Sequence, residues 1–185
     1  MITRTIIQEA EQQYLRETLA KLKTDFDDAR DCVGKGWHPL IDCLHAFARS
    51  MFISHGFVVN IEQVKEKFAT LRFHYFIESD FDKNPSLYRK SDDGQVIAYG
   101  WRRYRFDDDE EEEFKAGVYA DFITLDPAET VLRTEKTKFY GSVEYAEIIS
   151  GSICEDCGAF GKREDTKGWF KTLCGSCLEK RNNRN

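Results

Sequence analysis

Cys154-Glu155-Asp156-Cys157 and Cys174-Gly175-Ser176-Cys177 form two Cx2C pairs with sixteen residues between them. Each pair sets two thiolates on one tight turn, and the two turns together complete a tetrahedron, so the spacing is that of a four-cysteine zinc site. Gly158 and Gly175 stand where such turns call for a residue that tolerates positive φ. Between the pairs, Lys162 to Leu173 reads as a hairpin, with Asp165-Thr-Lys-Gly168 as its turn. The segment is expected to fold as a zinc ribbon on one structural Zn2+ held by Cys154, Cys157, Cys174 and Cys177. Iron is the chemical substitute. Four protein thiolates leave the metal no open position for water, which argues for a structural ion and against a catalytic one.

Upstream, apolar residues from Ile6 to Phe26 recur at three and four, and Thr5 with Gln8 has capping-box spacing, so a helix is expected from Thr5 to about Ala29. Leu40, Ile41, Leu44, Phe47, Ala48 and Met51 make a second apolar stripe that opens after Gly36-Trp37-His38-Pro39 and stops before His55-Gly56. Phe57 to Val64 and Ala69 to Glu78 read as strands joined by a short connection, hence an antiparallel hairpin. Gln95 to Phe106 reads as a strand, Phe114 to Leu125 as helix or strand, and Ser142 to Ile149 as a helix. The fold class expected is α+β: two N-terminal helices packed on an antiparallel sheet, with a C-terminal four-cysteine zinc ribbon. Residues 1–139 would form the α+β domain, with 79–138 as its elaboration, and 140–185 a helix plus the ribbon.

The chain has 185 residues, 41% of them apolar and 14% aromatic, which is enough to bury a core. Its formal net charge is −6, and a tetrathiolate zinc centre takes it to about −8. Global attraction to nucleic acid or to an anionic membrane is not expected. No apolar run approaches membrane-spanning length and the first residues do not resemble a signal peptide, so a reducing, cytoplasmic setting is expected.

Gly36-Trp37-His-Pro-Leu-Ile41, Gln63-Val-Lys-Glu-Lys-Phe-Ala-Thr-Leu-Arg-Phe73, Cys154-x2-Cys157-Gly158 and Gly168-Trp169-Phe-Lys-Thr-Leu-Cys174 occur together. In this combination the chain resembles a family of small, uncharacterised bacterial and phage zinc-ribbon proteins, with a GWxxLI helix start, a QVKEKFGxLRFY strand and a C-terminal ribbon ending in GWxxTLCxxC. Residues 79–138 are longer than that pattern implies, and Ala69 replaces its glycine. The resemblance implies a compact zinc-ribbon protein and supplies no reaction.

Three classes of function are open to such a chain. For an enzyme, His38, His45, His55 and His74 would have to pair with Cys32 or Cys43, and no GxxxxGKS, HExxH or GxSxG motif is present. Cys43 reads as a buried structural thiol. A non-enzymatic interaction protein, phage or mobile-element encoded, would use the acidic run Asp107, Asp108, Asp109, Glu110, Glu111, Glu112 and Glu113 with Arg102 and Arg103 against the basic surface of a host or toxin protein, inhibiting or redirecting it. The alternative is a nucleic-acid binder using Lys65, Lys67, Arg72 and His74 on the hairpin and Lys162 and Arg163 on the ribbon.

Overall fold

The computed structural model describes residues 3–6, 9–79, 88–90, 96–104, 118–124 and 128–183, and the side chains of 13–53, 56–78 and 134–183. In chain order the elements are β1 (Thr3–Ile6), α1 (Glu9–Asp31), a 3-10 turn (Lys35–Trp37), α2 (His38–His55), β2 (Phe57–Lys67), β3 (Thr70–Ser79), β4 (Tyr88–Lys90), β5 (Val96–Tyr104), β6 (Val118–Thr124), α3 (Ala128–Ser150), β7 (Lys162–Asp165), β8 (Phe170–Leu173) and α4 (Gly175–Asn182). The fold is α+β. By backbone contacts the chain divides into two compact units.

One unit comprises Met1–Leu22, Ala48–Val59 and Ile77–Thr137. Its sheet runs β1-β6-β5-β4, antiparallel at each junction, with Thr3 paired to Phe122 and Tyr104 to Val118. The start of the chain therefore departs from expectation. Thr5 is not a helix cap; it pairs with Ala120 along a strand edge, and the helix begins only at Glu9. Thr3, Thr5 and Ile6 are β-branched and take the extended form when a partner strand is offered. Leu15, Phe52 and Phe57 have no exposed surface and Leu22 and Met51 almost none, giving this unit its core.

The other unit comprises Lys23–Phe47, Asn60–Phe76 and Lys138–Asn185. Here the two N-terminal helices pack on the β2-β3 hairpin: the Phe26 ring of α1 lies 5.8 Å from Phe73 on β3 and stacks at 5.0 Å on His45 of α2. Phe139 of α3 is fully buried, edge-on to Phe47 at 5.6 Å and to Tyr75 at 5.1 Å. Trp37, Ile41 and Leu71 complete a core with no exposed surface. The turn between β2 and β3 consists of Phe68 and Ala69, both at positive φ (54° and 66°), the geometry of a two-residue hairpin turn. Glycine would adopt the left-handed backbone at position 69 with less strain than alanine.

Two side chains on α3 weld it to β3. Glu147 accepts the Phe73 backbone N–H at 2.8 Å and pairs with Arg72 at 3.4 Å, while the Ser150 hydroxyl accepts the Leu71 N–H at 2.8 Å. These bonds satisfy strand donors that have no second strand beside them. Helix α3 reaches Ser150, the last residue before the ribbon, with its C-terminus fixed.

Candidate metal centre

The ribbon starts where α3 stops. Cys154 and Cys157 flank a tight turn closed by Gly158 N–H donating to Cys154 O at 2.9 Å, with Gly158 at φ +77° as the spacing required. The second pair is built differently. Cys174 follows the last residue of β8 and stands at the N-cap position of α4, so Gly175 opens a helix and does not take positive φ, contrary to the sequence reading. Strands β7 and β8 pair in the expected hairpin, Lys162 with Leu173 through Asp165 with Phe170, and Lys167 and Gly168 at positive φ make its turn.

The four sulfurs lie within 4.8 Å of one another, and Cys157 Sγ is 3.6 Å from Cys174 Sγ. A tetrahedron with metal–sulfur bonds of about 2.3 Å has sulfur–sulfur edges of about 3.8 Å. The cluster fits a four-coordinate ion such as zinc, and all six cysteines are free of disulfides. Cys154 and Cys177 are buried, Cys157 is exposed and Cys174 half-buried. The Ser176 hydroxyl and the Cys177 N–H hydrogen-bond Cys174 and bring its thiol down to about 6, while the hydrogen bond with Cys174, and then that with Cys157, push Cys177 up to about 12. Sulfurs this close oppose one another's ionisation, and a bound cation removes that opposition. A Cys174→Ser variant leaves three ligands and is expected to drop from about one metal ion per chain to well below half after gel filtration; full retention would overturn the assignment.

The first knuckle is held from outside by residues the motif does not contain. Gly36 N–H donates to Glu155 O at 2.7 Å, and Trp37 Nε1 donates to Ile153 O at 2.8 Å. A β-carbon on Gly36 would fall 1.8 Å from Cys154 O, and one on Gly34 2.3 Å from Glu155 O. Glu155, only 3% exposed, accepts Thr172 N–H at 2.9 Å and pairs with Lys171 at 2.6 Å. Thr172 Oγ1 donates to Ala69 O at 2.7 Å, tying the ribbon to the β2-β3 turn. The Gly-Lys-Gly-Trp loop and the metal knuckle are therefore one packed unit.

The remaining sequence candidates are dispersed. Asp107 to Glu113 lie outside the described residues, and Arg102 and Arg103 stand on β5, paired with Ala120 and Tyr119. Lys65 bonds Gln63, Lys67 lies 5.5 Å over the Phe68 ring, Arg72 is taken by Glu147, and His74 is exposed. On the ribbon Lys162 pairs with Glu164 at 3.2 Å, and the Arg163 guanidinium stacks 3.9 Å from Phe170. Asp42 pairs with Arg30 at 3.3 Å. Cys32 and Cys43 are both exposed, which corrects the buried reading of Cys43. It borders a groove of about 610 Å³ between α2 and α3, lined by Leu40, Leu44, Phe47, Ala146 and Ile149. Sequence reasoning missed the Gly34 and Gly36 contacts, because their clearance is set by Cys154, Glu155 and Gly158, at the far end of the chain.

No family model, curated protein or solved structure matches the chain in comparisons with known proteins. No helix among the described residues is long and apolar enough to cross a membrane.

Proposed function

We propose that the protein is a cytoplasmic, non-enzymatic interaction module, phage or mobile-element encoded, whose structural ion is zinc and which inhibits or redirects a host or toxin protein with a basic surface. The observation that carries this reading is the position of the acidic run. The sheet register pairs Tyr104 with Val118, so Asp107 to Glu113 fall between two residues held opposite one another on β5 and β6. Seven consecutive carboxylates offer a basic groove a dense field that speeds encounter. A closed tetrathiolate site gives the metal no position for substrate, in keeping with a non-catalytic role.

The test is affinity capture from nuclease-treated lysate, comparing the parent with a variant in which Asp107 to Glu113 are replaced by Ser and Asn. Capture of one stoichiometric protein by the parent, reduced at least tenfold in the variant, supports the reading. Equal capture removes the acidic mechanism.

The ribbon supports a second reading, nucleic-acid binding. Phe160 is 84% exposed, Trp169 74% and Phe170 39%, and Arg163 stacks on Phe170 among the basic residues of β7 and its turn. Exposed aromatics interleaved with cations are the elements of a base-stacking surface.

A further inference from the structure

Beside the metal knuckle, within the ribbon-bearing unit, lies a cleft of about 890 Å³. Lys35 enters it from the Gly-Lys-Gly-Trp loop, Thr166 and Lys167 from the β7-β8 turn, and Lys180 and Arg181 from α4. These segments are up to 146 residues apart in sequence, by the numbering of Lys35 and Arg181. Arg181 is committed: its guanidinium donates to both carboxylate oxygens of Asp156 at 2.9 and 2.5 Å. Lys35, Lys167 and Lys180 are exposed, and their ammonium groups have no hydrogen-bond or ion-pair partner among the described residues.

Three uncommitted lysines thus border one cleft in a chain of net charge −6. Like charges held together raise one another's energy unless an anion sits among them. The metal centre supplies part of that anion, since a zinc tetrathiolate carries −2. Four cations set against Asp156 and that centre still leave a positive balance. The lysine ammoniums stand on flexible stems, and point charges of this kind suit phosphate oxygens. The cleft volume falls in the range of ligand sites, about 300–1,000 Å³. Trp169 follows Lys167, a residue lining the cleft, by two positions in the β7-β8 connection, and is 74% exposed. A charged cleft with an adjoining aromatic face matches a strand of alternating phosphates and bases.

Resting on the second reading above, we infer that this cleft is a backbone-phosphate site for single-stranded nucleic acid, with Lys35, Lys167 and Lys180 meeting phosphates and Trp169 stacking a base. Duplex is disfavoured because its bases are already stacked and cannot use the indole. The cleft involves none of Lys65, Lys67, Arg72 and His74, so the β2-β3 hairpin is not required.

The experiment is fluorescence anisotropy of a labelled single-stranded oligonucleotide with the zinc-loaded full chain, titrated across salt. The triple variant Lys35→Gln, Lys167→Gln, Lys180→Gln is expected to lose at least tenfold in affinity and to lower the slope of log affinity against log salt by about 2, at roughly 0.7 per single-strand phosphate contact. Lys→Arg at the same positions should restore most of the binding, and Trp169→Ala should weaken it about fivefold or more. Lys65→Gln with Lys67→Gln should leave it within about twofold, as expected of residues outside the site.

Binding lost in the Lys65 and Lys67 variant but kept in the cleft variant overturns the cleft while sparing the nucleic-acid reading. An absence of salt-dependent binding by the parent removes both. Competition by inorganic phosphate as effective as by oligonucleotide replaces the polymer with a small phosphate ligand. Loss of zinc from the triple variant would assign the lysines to the metal centre, which also overturns the inference.

Discussion

Ser150 has no exposed surface, and its hydroxyl makes two bonds: it donates to Glu147 O at 2.6 Å and accepts the Leu71 N–H at 2.8 Å. Ser150→Ala leaves the buried Leu71 amide without an acceptor, a desolvation loss of about 1–3 kcal/mol. Urea denaturation should register a drop in that range; a change within about 0.5 kcal/mol would mean that water reaches the amide. Phe68 is the opposite case, an aromatic 64% exposed at φ 54° in a hairpin turn. Left-handed backbone is unfavourable by about 1–2 kcal/mol for most side chains and much less for Asn. Phe68→Asn is therefore expected to stabilise the fold by about 1 kcal/mol, and a loss of stability would refute the strain argument. Ala69→Gly offers no such gain, although φ there is 66° and the methyl is 1% exposed. Relief of about 1–2 kcal/mol is offset by unfolded-chain entropy of about 0.4–1 kcal/mol and a buried methyl of about 0.8 kcal/mol. That near-cancellation explains how alanine is tolerated at a left-handed position.

At the scale of elements, the decisive join is between the loop ahead of α2 and the first cysteine knuckle. Backbone meets backbone there, and neither side has a flexible side chain that can yield. Gly36→Ala places a methyl 1.8 Å from Cys154 O and 2.4 Å from Gly158 N, so the loop or the knuckle has to move. The expected loss is about 3 kcal/mol or more. Metal affinity measured by chelator competition should fall with it, because both Cys154 and the Gly158 turn lie on the displaced backbone. Unaltered stability with unaltered metal affinity would show that the approach is looser than these distances. By contrast, Gly168 at φ +93° has open space around it, so a side chain there meets only backbone strain.

For the whole molecule, removing the metal should unravel more than the ribbon. Cys154, Leu173 and Cys177 form a buried cluster that the ion organises, and Trp37 donates its indole N–H into the same segment. In a Trp101→Phe, Trp169→Phe background, a chelator is expected to shift Trp37 emission to the red and to lower the midpoint of urea unfolding, with both restored by Zn2+. Acid should act in the same direction, since protons compete with the metal for thiolates, and less chelator should suffice as pH falls. Emission and unfolding unaffected by complete metal loss would separate the ribbon from the core.

The metal ligands were legible because their spacing is local: each pair lies within one turn, and the β7-β8 hairpin between them announces itself at Asp165 to Gly168. The two helices and the β2-β3 hairpin were legible from periodicity. Strand β1 was not, because Thr3 pairs with Phe122, far beyond any sequence window. The basic cleft was equally hidden. Lys35 and Lys180 carry no motif, and only the docking of the loop onto the knuckle brings them together.

That docking also bears on how fast the protein is made. The hydrogen bond from Trp37 to Ile153 spans 116 residues, and both sides of the contact must be formed before it can close. Loops of that length close slowly relative to local helices and hairpins, so α1, α2 and the β2-β3 hairpin should assemble first and wait. Metal capture then becomes the late step, and refolding followed by Trp37 fluorescence in a Trp101→Phe, Trp169→Phe background should show a slow phase whose rate rises with free zinc concentration.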